Sequence, residues 1–193
     1  MAPRVTLEQL KSLARTRAWL VEQVKAQQLS LRSLHHESAQ QALSHAILAL
    51  EQEIKVLETE LASLVKQLMP KLYDLQGLGV IHAASLLAEP GEVRRFRSQP
   101  AFARFAASAP GERSRGAQQR RQLNIAGNRR LNRLCHLIAT VRLRWDEPTK
   151  TYLSTKQQQA KTLRSALRCL KTYSARELYF FMLDNCRNNP AWA

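Results

Sequence analysis

The stretch Leu43–Leu68, LSHAILALEQEIKVLETELASLVKQL, decides the fold. Its apolar residues Leu43, Ile47, Leu50, Ile54, Leu57, Leu61, Leu64 and Leu68 follow one another at intervals of four, three, four, three, four, three and four. An α-helix turns once per ~3.6 residues, so this spacing keeps all eight on one stripe. With Ile47 and Ile54 at a and Leu43, Leu50, Leu57 and Leu64 at d, the stripe is a coiled-coil seam. Glu51, Glu53, Glu58 and Glu60 flank it and would repel one another in a parallel homodimer. Upstream, Leu10, Leu13, Leu20, Val24, Leu31 and Leu34 also recur at helical spacing, accompanied by Arg15, Arg17, Lys25 and Arg32. Set antiparallel, that basic helix pairs the acids. The expectation is a hairpin of two helices, the first starting near Thr6 in capping-box relation to Gln9, with a break at His35–Ser38. Pairing of two such hairpins through the coiled coil predicts a homo-oligomer. The plainer alternative is a long amphipathic helix packed on its own domain.

Beyond this hairpin Pro70 ends or restarts the helix. The pattern then predicts a short helix, a glycine hairpin at Gly77–Gly79, a helix through Ala83 to Ala88, a turn at Glu89–Gly91 and a helix from Ala101 to Ala107. From Ser108 to Gly127 it dissolves into a polar, basic loop. Helix returns from Asn128 to about Trp145, again from Pro148, and again over about Lys156 to Leu170. A last helix begins at Ser174, with Glu177 completing its capping box. No stretch alternates convincingly as a strand. The predicted fold class is therefore all-α: a long N-terminal coiled-coil hairpin over residues 1–69, then a compact helical domain over 70–193 with a helix-hairpin-helix element. Aromatics at 6% and only six glycines suit helices, and 45% hydrophobic residues suffice for a core. Three widely spaced cysteines, Cys135, Cys169 and Cys186, predict reduced thiols in place of a disulfide framework. No apolar run reaches bilayer length and no signal-peptide core opens the chain, so a cytoplasmic protein with no membrane partner is expected.

Charge is divided unevenly. Residues 1–92 hold nine Lys/Arg against ten Asp/Glu, whereas residues 93–193 hold 21 against five. Between Arg94 and Arg144 stand thirteen arginines, no lysine and one acid, Glu112. Such a field concentrates polyanions, and a guanidinium makes fork-like bonds to phosphate that an ammonium cannot. Nucleic acid is the implied partner, against the plainer reading of a merely basic, soluble surface. The predicted binding residues are Arg94, Arg95, Arg97, Arg113, Arg115, Arg120, Arg121, Asn128, Arg129, Arg130 and Arg133. Gly77 and Gly79 join them, because Leu75-Gln-Gly-Leu-Gly79 followed by Ala83 has the shape of a helix-hairpin-helix. There a tight glycine turn lets phosphate approach the free amides of the next helix. A glycine turn between helices is also common without any ligand.

No metal site is expected. His35 and His36 are adjacent, and His45, His82 and His136 have no companion at ligand spacing. The acids form no cluster for two metal ions, and the glycines form no nucleotide-binding loop.

The series Leu75-Gln-Gly-Leu-Gly-Val80, Ala83, Leu87-Ala-Glu-Pro-Gly91, Phe96-Arg-Ser98, Phe105-Ala106, Ala109-Pro110, Ser114-Arg-Gly116, Ile125-Ala-Gly-Asn128, Leu131, Glu147-Pro148 and Tyr152-Leu153 resembles one known family. It is similar to the C-terminal domain of the IS-one-ten insertion-sequence transposases, relatives of the Piv and MooV DNA invertases. The likeness covers about residues 70–185, and a preceding coiled coil also suits that family. It implies a helical domain that works on DNA with an element-encoded guide RNA. It also implies a nucleophilic serine in a Pro-x-x-x-x-Ser-Gly context, set in a basic loop before a Gly-Asn-x-x-Leu-Arg helix. Here Ser114 follows Pro110 by four residues where five is usual. Either Ser114 is the nucleophile, with Arg113, Arg115, Arg120 and Arg121 as phosphate partners, or Arg115 occupies the serine's place. Asn132 replaces the usual arginine after Leu131. The family's four metal-binding acids lie in a separate N-terminal RNase H-like domain. A divalent metal is therefore expected only there, with no cofactor in this chain, and a separately made acidic-domain chain is a further expected partner. A truncated or split transposase, inactive alone, is the resulting expectation. The alternative is a non-catalytic helix-hairpin-helix adaptor with a dimerising coiled coil, and a third reading is a basic helical protein that meets RNA through charge alone.

Overall fold

The computed structural model describes residues 7–75, 78–109, 111–115, 118–122, 124, 126–159 and 162–187, with backbone alone over 111–115 and 118–122. Helices predominate, and the protein is all-α in class. Helix α1 spans Leu7–Leu31 and α2 Glu37–Leu68, with the break between them where the histidine pair predicted it. Gln40 closes that turn by donating from Nε2 to the Leu34 carbonyl at 2.7 Å. Arg17 reaches Glu58 at 2.6 Å and Gln28 lies 3.5 Å from Glu51, so α1 and α2 run antiparallel. One of the anticipated basic–acidic pairs thus forms across the hairpin. Lys25 does not join it and bonds to Glu22 on its own helix at 2.8 Å. Thr6 lies outside the described residues.

The seam is used within the chain. Ile47, Ile54 and Val24 are buried together at the far end of the hairpin, while Leu43 and Leu50 pack partly buried against them. Toward its base, Leu10 of α1 and Leu61, Val65 and Leu68 of α2 enter the main core. That core continues through Leu72, helix α3 (Val80–Ala88), Val93, helix α4 (Gln99–Phe105), helix α5 (Arg129–Trp145) and helix α7 (Leu163–Arg187). Phe102, Leu86, Leu87, Leu131, Leu134 and Met182 are fully buried there, each worth about 1.5–3 kcal/mol relative to exposure. Phe96 meets Phe102 edge-on at 5.3 Å, and Phe102 meets Tyr179 at 5.7 Å, fixing α4 against α7. Among the described residues no helix is long and apolar enough to cross a membrane.

Three expectations about elements are corrected. The segment Pro70–Asp74 is a 3-10 turn, as Pro70 cannot continue the α2 hydrogen-bond ladder. The two final helices are one, α7. Ser174 is not a helix start but sits buried in mid-helix, and Glu177 pairs with Arg142 of α5. No glycine or proline separates Leu170 from Leu178, so the apolar face runs on and the helix follows it. Helix α6 (Glu147–Gln158) precedes it, capped by Asp146. Last, the supposed basic loop contains a two-stranded antiparallel ribbon, β1 (Gly111–Arg115) with β2 (Gln118–Gln122). Gln and Arg do not alternate with apolar residues, so a solvated ribbon leaves no periodic signal.

Candidate nucleic-acid interface

The ribbon stands on a tightly bonded base. Helix α4 ends at Phe105, and Ala107 turns the chain with φ +51°, a conformation rare for a residue with a Cβ. Ser108 is buried and donates from Oγ to the Ala103 carbonyl at 3.1 Å, while Thr172 of α7 donates to the Ser108 carbonyl at 2.8 Å. On the return side, Asn124 donates to the Arg104 carbonyl at 2.7 Å, and the Asn128 amide to the Phe105 carbonyl at 2.6 Å. Asn132 of α5 donates from Nδ2 to the Ala107 carbonyl at 2.7 Å. Both legs of the ribbon are therefore tied to α4, α5 and α7.

Asn128 then starts α5. Its Oδ1 accepts from the amides of Arg130 and Leu131, both at 3.0 Å, the usual work of an N-cap. Its Nδ2 donates to Glu89 at 2.6 Å, and Arg130 donates to the other carboxylate oxygen at 2.7 Å. The Glu89 side chain is only 7% exposed. Burial pushes its pKa upward, but the bonds from Asn128 and Arg130 and the charges of Arg130 and Arg15 outweigh that and hold it below the ordinary value. The stabilisation is thus present above the usual carboxylate range and is lost as pH falls through the lowered pKa. Glu89→Ala, which leaves Asn128 without an acceptor and returns the 45%-exposed Arg130 to water, is expected to cost about 1–2 kcal/mol in urea unfolding at pH 7. The gap between variant and wild type should narrow in acid. An equal gap at pH 7 and pH 3 would remove Glu89 as the cause.

The arginines of the run, the predicted ones and Arg142 with them, divide into two groups. Arg94 donates to the Cys186 carbonyl at 3.2 Å. Arg95 donates to the Pro90 carbonyl at 2.8 Å and lies over the rings of Phe96 and Phe105, 4.6 and 4.9 Å from their centroids. Arg130 is held by Glu89, and Arg142 grips Glu177 through two bonds of 2.5 and 2.7 Å. These four brace the fold. Arg97, Arg129 and Arg133 are exposed and make no salt bridge with a described residue, although the charge of Arg133 reaches Glu22 of α1. In the ribbon, Arg113 is the ladder partner of Arg120, Glu112 of Arg121, Ser114 of Gln119 and Arg115 of Gln118. The side chains of Ser114, Arg113, Arg115, Arg120 and Arg121 lie outside what the structure describes, as do Gly77, Pro110 and Gly116 entirely. Gly79 is the N-cap of α3 with φ −79° and ψ 171°, ordinary extended backbone. Nothing lies within 4 Å of where its Cβ would be, so it faces open space and its backbone does not require glycine.

A cleft of about 450 Å³ opens beside the ribbon's base, lined by Ala107, Asn124, Arg129, Asn132, Arg133, His136 and Lys171. Five of these, Ala107, Asn124, Asn132, His136 and Lys171, were not among the predicted site residues. Lys171 lies on α7, far along the chain from the arginine run, and no local spacing announces it. Among the described residues there is no group of three or more His, Cys, Asp or Glu that could hold a metal ion.

A ribbon of arginine-rich sequence is thus fixed to a helical core beside a cleft lined by Arg129, Arg133 and Lys171. Residues 69–154 match the sequence model described as Transposase IS116/IS110/IS902 family. That segment of the chain belongs to this transposase family. Over 117 residues the chain is 30% identical to a "Probable family 20 transposase" of Pseudomonas aeruginosa, covering 50% of this chain and 35% of the relative. It is 26% identical to "Insertion element IS900 uncharacterized 42 kDa protein" of Mycobacterium paratuberculosis, covering 93% of this chain and 48% of that protein. It is 27% identical to "Insertion element IS110 uncharacterized 43.6 kDa protein" of Streptomyces coelicolor, covering 74% and 36% respectively. The chain thus spans half or less of the length of these relatives.

Proposed function

We propose that this chain is the DNA-binding part of an insertion-sequence transposase and acts in DNA transposition and recombination. The observation that carries the reading is the arginine ribbon bonded at both legs to a segment of transposase family sequence. The register makes Arg113 and Arg120 ladder partners, and like charges at facing positions weaken a ribbon. A polyanion is the natural counter-charge. Arg129 and Arg133, one helical turn apart at the start of α5, extend the same positive surface. The extended backbone and open space at Gly79 leave room for a phosphate at the α3 N-terminus, as a helix-hairpin-helix contact needs. Such contacts hold the backbone and read little sequence.

Ser114 is the proposed nucleophile. Its oxygen would bond to phosphorus of a strand phosphodiester while the hydroxyl proton departs and the displaced strand oxygen takes up a proton, leaving protein joined to DNA. Neighbouring arginines offset the charge that develops at phosphorus. The metal-binding acids would come from a separate RNase H-like domain, in the same protein or on a partner chain, with a guide RNA as a further partner. Self-association would use surfaces outside the hairpin seam, which α1 already covers, such as exposed Leu48 and Val56.

Incubated alone with duplex DNA, the chain is expected to bind without cutting. With a protein carrying the acidic domain, denaturing gels should reveal a covalent protein–DNA adduct that disappears in Ser114→Ala while binding persists. An adduct surviving that substitution would remove Ser114 from the mechanism. Binding with no adduct under any condition would favour the non-catalytic adaptor, and cleavage by the isolated chain would contradict the need for the acidic domain.

A further inference from the structure

We propose that the cleft between the ribbon's base, α5 and α7 is a phosphodiester site centred on Lys171, taking one backbone phosphate of the bound DNA strand. The inference rests on the DNA-binding reading above and adds a residue far from the arginine run. Lys171 is half-buried, and its ammonium donates to Asn132 Oδ1. Asn132 is fixed from its other end by the Ala107 carbonyl, so its oxygen is held toward the lysine. An ammonium has three donors, and among the described residues no other partner and no carboxylate engages Lys171. Burial, with a contribution from Arg168, lowers its pKa, the mark of a charge set aside from water without full compensation. Cys135 supplies no counter-charge, since burial pushes its thiol up to about 12.

The remaining ionisable residues of the cleft are Arg129, Arg133 and His136, all on α5 and all exposed, and no acid lines it. Three side chains bearing fixed positive charge and an imidazole therefore converge from two helices on one space. A tetrahedral oxyanion is the ligand that satisfies them together: one oxygen for the ammonium, others for the guanidinium forks. The two amides cannot readily read a base. Asn124 is already bonded to the Arg104 carbonyl and the Ala126 amide, and Asn132 to Ala107 and Lys171. The site therefore takes phosphate and not nucleobase. Its position against Ala107, at the foot of the ribbon, places that phosphate on the path of a strand entering the Ser114 region.

The test is a salt series of duplex-DNA binding by fluorescence anisotropy with the full chain. Lys171→Gln should weaken binding about tenfold at moderate salt and make the log–log salt slope shallower by about 0.9, the loss of one phosphate contact. Lys171→Arg should keep most of the affinity. Arg144→Gln, which removes an exposed charge outside the cleft, should change affinity no more than about twofold. Equal losses for Lys171→Gln and Arg144→Gln would overturn the site while leaving DNA binding intact. Should Lys171→Gln fail to fold by circular dichroism, Arg129→Gln is read against Arg144→Gln by the same criterion. If the wild type binds no DNA, inorganic phosphate decides the matter at ionic strength matched with chloride. A rise in melting temperature for wild type and not for Lys171→Gln upholds the cleft although the DNA reading has failed, and equal responses refute it.

Discussion

Affinity for duplex DNA is expected to fall roughly a thousandfold as salt rises from about 50 to 200 mM. Each neutralised phosphate releases condensed counterion, so binding weakens with a log–log slope of about −0.9 per contact on B-DNA. Four ribbon arginines, Arg113, Arg115, Arg120 and Arg121, the exposed Arg97, and the one phosphate shared by Arg129, Arg133 and Lys171 offer about six such contacts. The thirteen arginines of the run would predict a steeper response if all reached DNA, but Arg94, Arg95, Arg130 and Arg142 have partners inside the protein. Arg95→Gln should therefore lower stability, by losing its carbonyl bond and its contacts with Phe96 and Phe105, yet leave the slope unchanged. Arg133→Gln should do the reverse. Anisotropy titrations over four salt concentrations measure the slopes, and urea unfolding measures the stabilities. A flat salt response would sink the reading of the ribbon as a phosphate-binding device, and a slope loss in Arg95→Gln would reverse the division of the arginines.

Much of this architecture was legible because helix periodicity is written locally. The 4-3 spacing from Leu43 to Leu68 specifies α2 before any partner is known, and Arg17 with Glu58 shows that charge could choose the helix opposite it. Asn128 likewise announced the start of α5, being a side chain that caps well at the edge of an apolar stripe. The failures have one physical origin. Where structure is held by long-range bonds, no local pattern carries it. The ribbon alternates nothing apolar, and its legs are secured by carbonyl bonds from Asn124, Asn132 and Thr172. Ser174 and Glu177 had the spacing of a helix start, but burial of the first and the ion pair of the second with Arg142 give both other employment. The basic run was visible as charge, whereas its sorting into bracing and exposed arginines depends on acceptors such as the Glu89 carboxylate and the Cys186 carbonyl. Lys171 was invisible for the same reason.

Gly127→Ala is expected to cost about 2–3 kcal/mol and to weaken DNA binding well over tenfold. A Cβ at Gly127 would stand 2.6 Å from the Ala107 Cβ, 2.7 Å from its nitrogen and 2.9 Å from its Cα. Two of those atoms are backbone, so no side-chain rotation relieves the overlap. Nor can Ala107 retreat freely, since it occupies φ +51° and its carbonyl accepts the bond from Asn132. The strain must separate the two legs of the ribbon at the point where they meet, and that displaces the ribbon from Arg129 and Arg133. For a chain of this size the cost corresponds to a fall in melting temperature of roughly 4–12 °C. Ala107→Gly suits the positive φ and removes one of the three contacts. Added to Gly127→Ala, it should recover part of the stability and part of the binding together, because one displacement causes both losses. Gly79→Ala is the contrasting substitution: with nothing within 4 Å and extended backbone, it should change melting little. If Gly127→Ala melts like wild type, the legs do not meet as described. If it melts early yet binds DNA at full affinity, the ribbon's placement on α5 does not govern recognition, and the exposed arginines of α5 act without it.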